Sequence, residues 1–391
     1  MRVIYINRGA SPTRFVEYLK KYENQLQQQV QKYNQLLMEG LAENQVGVRS
    51  LSTRPINRAI SRQKYFKGEK ERENGIDYDY IPFFNVKLLR EFSVLFGIFF
   101  KVLFAKENKK DTVIVCDGLN VAASLGAISA AAIRGYKTVG IVTDVPGHLS
   151  YSNNVSRNQK INLFIMRKFD SYLLLTEQMS EVVNPKGRPY IVLEGHADLA
   201  MKDVANTLYD KSDKKVCLYA GSLMKIYGIE NLVLGFVEAN VPDTELHIYG
   251  TGDYKDELIK LSEKYDNVKY MGTAPNSEIV KAEIRATLLI NPRPAHEDYT
   301  KYSFPSKNME YMASGTPVLT TKLPGMPADH LPHVYLIEDE SAGGIARVLG
   351  DLLSKDRKEL HDKGIEAKKF ILDEKNNIKQ AQKLLGLIEK M

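Results

Sequence analysis

The stretch Tyr302-Ser303-Phe304-Pro305-Ser306-Lys307-Asn308-Met309-Glu310-Tyr311-Met312-Ala313-Ser314-Gly315-Thr316-Pro317-Val318 reads as a short helix held between two strands. Upstream, Asn291-Pro292-Arg293-Pro294 closes the apolar run Thr287–Asn291; downstream, Pro317-Val318-Leu319 opens the next run. Ser303 has the chemistry of an N-cap, and Pro305 suits a first turn, where its missing N–H costs nothing. Gly315 supplies the C-terminal stop. Lys307 and Glu310 stand three apart and share one helix face, while Met309 and Met312 fall on another and read as core.

The same alternation extends outward in both directions. Strand candidates in the second half are Lys215–Gly221, Glu245–Gly250, Val268–Met271, Thr287–Asn291, Pro317–Thr321 and Tyr335–Glu338. In the first half they are Arg2–Ile6, Thr112–Asp117, Thr138–Asp144, Ser171–Thr176 and Tyr190–Glu194, with helical patterns at Asn120–Arg134 and Ile161–Lys168 between them. Continuous apolar strands alternating with helices predict parallel sheets covered on both faces. The expected class is therefore α/β, with two doubly wound Rossmann-like domains facing across a cleft. A chain of 391 residues is too long for one ordinary core and suits two such domains. The apolar pattern thins near residues 197–213, which sets expected limits of 1–200 and 201–375. An amphipathic helix over 376–391 is expected to pack back on the first domain. In such sheets ligands bind outside the carboxyl ends of the strands, where the opening stretch begins.

Composition narrows the class further. A content of 43% hydrophobic and 26% charged residues belongs to a globular chain, neither disordered nor membrane-spanning. The first residues read as a buried strand without a basic region and cleavage site, so a cytoplasmic protein is expected. Cys116 and Cys217 sit alone inside apolar runs and read as reduced core thiols. Residues 1–200 hold 28 Lys and Arg against 19 Asp and Glu, and the remainder 26 against 29. This imbalance fits either different partners for the two halves or a solvated surface. Residues 54–72 carry Arg54, Arg58, Arg62, Lys64, Lys67, Lys70 and Arg72 and read as an exposed basic loop. Residues 86–106 follow as a very apolar helix whose longest uncharged run, Phe92–Phe100, is too short to span a bilayer. It either packs on the first sheet or touches the inner face of the membrane, aided by the basic loop.

The opening stretch also carries chemistry. It sets free backbone N–H groups at a helix N-terminus, a favourable place for a pyrophosphate. Lys307 would neutralise phosphate charge and Glu310 would accept hydrogen bonds from vicinal ribose hydroxyls; the alternative is an exposed i,i+3 ion pair. Tyr302 through Val318 resembles, almost letter for letter, the donor-site signature of retaining glycosyltransferase family 4. The resemblance implies a GT-B enzyme that moves a sugar from a nucleotide-sugar, a UDP-sugar above all. It also implies a lipid-linked or oligosaccharide acceptor in capsule or exopolysaccharide synthesis, and neither metal nor cofactor. Donor contacts are then expected from Tyr302, Ser303, Phe304, Pro305, Ser306, Lys307 and Glu310, with Glu310 on the ribose.

Further expectations rest on the same resemblance. Leu218-Tyr219-Ala220-Gly221-Ser222-Leu223-Met224-Lys225 is similar to the family's glycine-rich turn, which assigns Gly221, Ser222 and Lys225 to donor phosphate. The loops holding Gly250, Gly252, Gly272 and Thr273 are expected near the base. Gly9, with Arg8, resembles the acceptor-side loop but lacks a second glycine. Asp144 and His148 follow a strand end where the family places a sugar-contacting His; a structural role is the alternative. His196 reads as a hinge residue. The family's usual second Glu, eight residues before Glu310, is Tyr302 here, and Glu297 or Asp298 is a candidate substitute. Positions where the family has Arg and Lys in the first donor turn hold Ser222 and Tyr227. A sugar-nucleotide epimerase on the same scaffold and a catalytically silent nucleotide-sugar-binding subunit remain alternatives. No G-x-G-x-x-G follows the first strand, which argues against a dinucleotide oxidoreductase. The histidines show no metal spacing, and no nucleic-acid partner is expected.

Overall fold

In the computed structural model, which describes residues 1–22, 26–147 and 156–391, the apolar runs become the strands of two separate sheets. One unit comprises Met1–His196 with Asn377–Met391, the other Ala197–Asn376.

The first unit opens with β1 (Arg2–Asn7), α1 (Pro12–Lys21), α2 (Gln28–Glu43) and β2 (Gly47–Ser52). It continues through β3 (Tyr65–Phe66), β4 (Glu69–Glu73), β5 (Ile76–Tyr80), β6 (Phe83–Phe84) and α3 (Leu89–Leu103). Then come β7 (Thr112–Asp117), α4 (Val121–Arg134), β8 (Lys137–Val142), α5 (Arg157–Met166), β9 (Ser171–Leu174), α6 (Met179–Val183) and β10 (Tyr190–Val192). The sheet order is β10-β9-β8-β7-β1-β2-β5-β4. Its pairs are parallel except that β4 runs antiparallel to β5, and β3 and β6 form a separate antiparallel ribbon. Every residue of β7 is buried, as expected of a central parallel strand covered on both faces.

Strands β2 and β5 are absent from the sequence reading because charges interrupt them. Asp79 in β5 is buried, yet Arg49 from β2 holds it at 2.8 Å and Lys101 from α3 at 2.8 Å. Burial pushes the Asp79 carboxyl up, but these two cations outweigh it and leave the pKa below the ordinary value.

The basic stretch differs from expectation in the same way. Arg54 is buried, stacked over the Tyr80 ring at 4.8 Å and donating to the Tyr18 hydroxyl at 3.0 Å. Residues 69–73 form edge strand β4, whose Glu69 and Glu71 each approach Arg14 of α1 at 2.6 Å. Arg58, Arg62, Lys64, Lys67, Lys70 and Arg72 stay exposed. The apolar helix is shorter than predicted, because Leu88 takes φ 69° and cannot continue it.

The second unit runs β11 (Lys215–Ala220), α7 (Ile229–Ala239), β12 (Thr244–Tyr249), α8 (Lys255–Lys264), β13 (Val268–Gly272), α9 (Asn276–Arg285) and β14 (Leu288–Asn291). It closes with α10 (Ser306–Ser314), β15 (Val318–Thr321), β16 (Tyr335–Ile337), α11 (Ala342–Ser354) and α12 (Arg357–Glu374). Its six strands are all parallel, in the order β13-β12-β11-β14-β15-β16. Alternation along β11 feeds two cores: Cys217 and Tyr219 join Leu246, Ile248 and Ile290 on one face, while Val216 and Leu218 join Met309, Met312 and Ile371 on the other. Both cysteines are fully buried, which pushes each thiol up to about 12.

The last helix, α13 (Asn377–Ile388), packs on α2 within the first unit. Gly40 allows that approach, since a Cβ there would lie 2.2 Å from the Asn377 carbonyl oxygen.

Candidate active site

Helix α10 owes its place to four side chains on its inner face. The fully buried Tyr311 hydroxyl accepts from the Ala220 N–H at 2.7 Å and donates to the Ala220 carbonyl at 3.2 Å. Asn291 at the end of β14 donates to Asn308 at 2.7 Å, and Asn308 donates to Thr320 of β15 at 3.2 Å. Met309 and Met312 fill the core beside them. These contacts fasten α10 across the carboxyl ends of β11, β14 and β15 and leave Lys307 and Glu310 on the other face.

Lys307 Nζ lies 2.6 Å from Glu310 Oε2 and 4.0 Å from Glu283 Oε1 on α9. The Lys307 and Glu310 side chains are each 20% exposed and that of Glu283 1%. The pair is thus sheltered and has a third, buried member. Burial works against the Lys307 charge, but Glu310 and Glu283 outweigh it and hold its pKa above the ordinary lysine value. Lys307 is therefore cationic throughout the neutral range.

The helix begins later than Ser303. Its N-cap position is Pro305, with no side-chain cap, and its first turn holds no acid. Ser303 is instead the extended, buried residue after a 3₁₀ turn at Asp298–Tyr302, and its Oγ accepts from Arg293 at 3.3 Å. Ser306 is exposed at the open amino end, where free N–H groups and the helix dipole favour an anion. Phe304 points inward, packing edge-on against His330 at 5.4 Å, and Pro305 is buried beside it. Tyr302 is half-buried on the preceding turn. Gly315 ends the helix at φ 83°.

The turns after β11, β12 and β13 meet backbone to backbone. Gly250 takes φ 140°, and a Cβ there would lie 1.8 Å from the Gly221 carbonyl oxygen. The Gly221 N–H donates to Tyr249 at 3.1 Å, that of Leu223 to Thr251 at 2.9 Å, and that of Gly250 to Gly272 at 2.8 Å. Gly252 abuts the Leu223 backbone, and Ser222 and Thr273 are exposed. Lys225 is exposed and faces Glu257 at 3.2 Å, while its N–H is fixed by Asp253 at 2.9 Å. Glu297 is half-buried, 3.6 Å from His296, which is itself 3.0 Å from Glu340; Asp298 pairs with Lys301 at 3.0 Å.

The sequence reading assigns no role to Arg293 or Glu283. The Arg293 guanidinium sits over Tyr227 at 4.3 Å and 6.0 Å from the Tyr299 ring, with its buried Nε making no hydrogen bond. Tyr227 is the position at which the resemblance implies a lysine, and a cation reaches it from the loop after β14 instead. The signal available for Arg293 is its place two residues beyond a strand end, directly after a proline; Glu283 is an acid on the buried side of an amphipathic helix.

In the first unit, Arg8 and Gly9 follow β1. Gln31 of α2 pins that turn, accepting from the Ala10 N–H at 3.0 Å and donating to its carbonyl at 2.7 Å. Arg8 is half-buried and lines a cavity of about 310 Å³ with Gln27, Val30 and Asn57. Desolvation lowers its pKa, partly offset by Asp117 and Glu91. Asp144 is half-buried, two residues past β8, and His148 lies outside the described residues. His196 is buried, with Nε2 donating to the Tyr33 carbonyl at 2.8 Å.

Two largely parallel α/β units, one carrying an open helix terminus over its strand ends, are the fold class of the GT-B glycosyltransferases. Along its whole length the chain is similar to sucrose-phosphate synthase from Thermosynechococcus elongatus, with TM-score 0.69 and 14% identity over 98% of that chain. It is similar to Anabaena HepE in complex with UDP, with TM-score 0.67 and 14% identity over all of both chains. It is similar also to the lipopolysaccharide outer core galactosyltransferase WaaB, with TM-score 0.60 and 16% identity over 99% of that chain. At such identities the likeness carries the fold. No curated protein matches the sequence. Residues 205–370 match the family model for glycosyl transferases group 1, so the second unit carries that domain and the chain is a glycosyltransferase. Among the described residues no helix is long and apolar enough to cross a membrane.

Proposed function

We propose that the protein transfers a sugar, with retention, from a UDP-sugar to a lipid-linked or oligosaccharide acceptor at the inner face of the membrane. The observation that carries the donor half is the uncapped, acid-free amino end of α10, with Lys307 in its first turn and Glu310 one turn further on. A diphosphate on those N–H groups draws Lys307, and the ribose hydroxyls draw Glu310, so the resting ion pair divides between two parts of one ligand. HepE, which shares the fold, is a UDP complex, and this supports UDP as the first nucleotide to try.

In the reaction the bond between the anomeric carbon and the diphosphate oxygen breaks, and the diphosphate keeps the electron pair. The acceptor hydroxyl forms the new bond at that carbon on the face the diphosphate leaves, and its proton passes to the departing diphosphate oxygen. Charge growing on the leaving diphosphate is met by the α10 dipole, Lys307 and Arg293, which is the task of a divalent ion in other transferases. Glu297, Asp144 and His148 are proposed for the sugar, and Arg8 with Gly9 for the acceptor.

The test is nucleotide release from a panel of UDP-sugars and GDP-mannose, with and without a lipid-linked saccharide acceptor. Release that depends on acceptor supports transfer. Epimerised sugar without net release, or UDP binding without turnover on any donor, would remove the proposal.

A further inference from the structure

The outward face of α3 carries a continuous apolar stripe. Leu89, Phe92, Phe96, Phe100 and Phe104 succeed one another at steps of three or four residues and so lie along one side of the helix. The four phenylalanines are between 50 and 73% exposed, while Val94, Ile98 and Val102 of the same helix are buried. Rings 96 and 100 stack at 6.3 Å, and rings 100 and 104 at 6.1 Å. Exposed Leu88 extends the stripe. On the β3–β6 ribbon, exposed Tyr65 and Phe84 adjoin it, their rings 5.1 Å apart and the Phe84 N–H donating to Ser93 of α3 at 3.1 Å. Single apolar residues are ordinary on a surface, but a contiguous row of this length marks a contact.

Its margins are cationic. Residues 55–68 hold Arg58, Arg62, Lys64 and Lys67, all exposed, and no acid. They reach the amino end of α3, where Asn57 and Arg58 line a hollow of about 490 Å³ with Lys87, Leu88 and Arg90. Exposed Lys106, Lys109 and Lys110 follow the carboxyl end. The acids near the stripe are Glu91, exposed, Glu107, which pairs with Arg49 at 3.1 Å, and exposed Asp111 next to Lys110, so both margins keep a net positive charge.

We infer that this face seats on an anionic lipid bilayer, with α3 in the plane of the interface, its phenylalanines among the acyl chains and the flanking cations on lipid phosphates. Phosphate headgroups answer cations at both ends of the stripe. Contact between two copies would instead bring two net-cationic margins together, with too few acids to match their lysines and arginines.

The chain contains no tryptophan, so Phe96→Trp and Phe100→Trp each provide a single reporter at an exposed site. Each is titrated as the full chain with phosphatidylcholine vesicles and with phosphatidylcholine–phosphatidylglycerol vesicles. The expected result is a blue-shifted emission, quenched by brominated acyl chains, with anionic vesicles well before neutral ones. In sedimentation, Arg58→Gln/Arg62→Gln/Lys64→Gln/Lys67→Gln weakens anionic-vesicle binding by roughly tenfold or more. Phe96→Ser/Phe100→Ser weakens it as much with the circular dichroism spectrum unchanged. Emission unmoved by either vesicle, equal response to both, or a dimer in solution that Phe96→Ser/Phe100→Ser dissociates would each overturn the inference. UDP binding without vesicles tests the donor site separately.

Discussion

Lys307 stands between two carboxylates, the buried Glu283 and the partly exposed Glu310, and its charge faces both. Replacing Glu310 with Gln keeps the shape, removes the anion facing the ribose and leaves Lys307 beside Glu283. UDP affinity measured by calorimetry is expected to fall by about 1.5–3 kcal/mol, the usual worth of a hydrogen bond to a charged group. Unchanged affinity would mean that Glu310 does not touch the nucleotide. Arg293→Met is expected to slow turnover more than it weakens UDP binding, because its stacked guanidinium serves the charge that grows on departure. An equal loss in both would make Arg293 a binding residue alone. At this scale the sequence shows Lys307 and Glu310 through spacing and motif. It hides Glu283 and Arg293, because a charged residue's burial depends on partners that are distant in the chain. It also misleads at Ser303, whose hydroxyl accepts from Arg293 while the helix starts three residues later.

Helix α2 is held on two sides, by His196 through Tyr33 and by α13 through Gly40. Burial lowers the His196 pKa to about 4, against an ordinary value near 6.5. The unfolded chain therefore binds the extra proton between pH 6.5 and 4, so the folded state loses stability as the pH falls through that window. The full effect is about 3 kcal/mol at most. In urea unfolding across this range, His196→Gln is expected to flatten the acid limb; an identical pH profile would exclude His196 as its source. Gly40→Ala sets a methyl against the Asn377 carbonyl and is expected to cost about 1–3 kcal/mol, read as faster hydrogen exchange in residues 377–391. Exchange unchanged there would show that α13 has another anchor. Parallel strands such as β7 and β11 are legible because both faces are apolar. β2 and β5 are not, since Arg49, Asp79 and Lys101 neutralise one another only when folded.

The chain leaves its first unit at His196 and returns at Asn377, so the second unit is an insertion with its own two cores. Its ends lie side by side, the Ala197 N–H donating to the Lys375 carbonyl at 2.9 Å. A ligand bound to one unit stabilises that unit by RT ln(1 + [L]/Kd), or about 2.7 kcal/mol at a hundred times Kd. Amides that exchange only when the second unit unfolds are then expected to slow by roughly a hundredfold in UDP. Local protection is expected in the turns after β11 and β12 and at the start of α10, where free N–H groups meet the diphosphate. In Glu310→Gln at the same UDP concentration, a tenfold or greater rise in Kd, the weak end of the predicted loss, cuts that slowing to roughly tenfold or less. The alternative has a distinct signature. Were the nucleotide held by Arg8 and the turn after β1, protection would appear in β1, α2 and β7 and be indifferent to Glu310. That outcome would transfer the donor site to the other unit and end the reading of α10 as its anion pole.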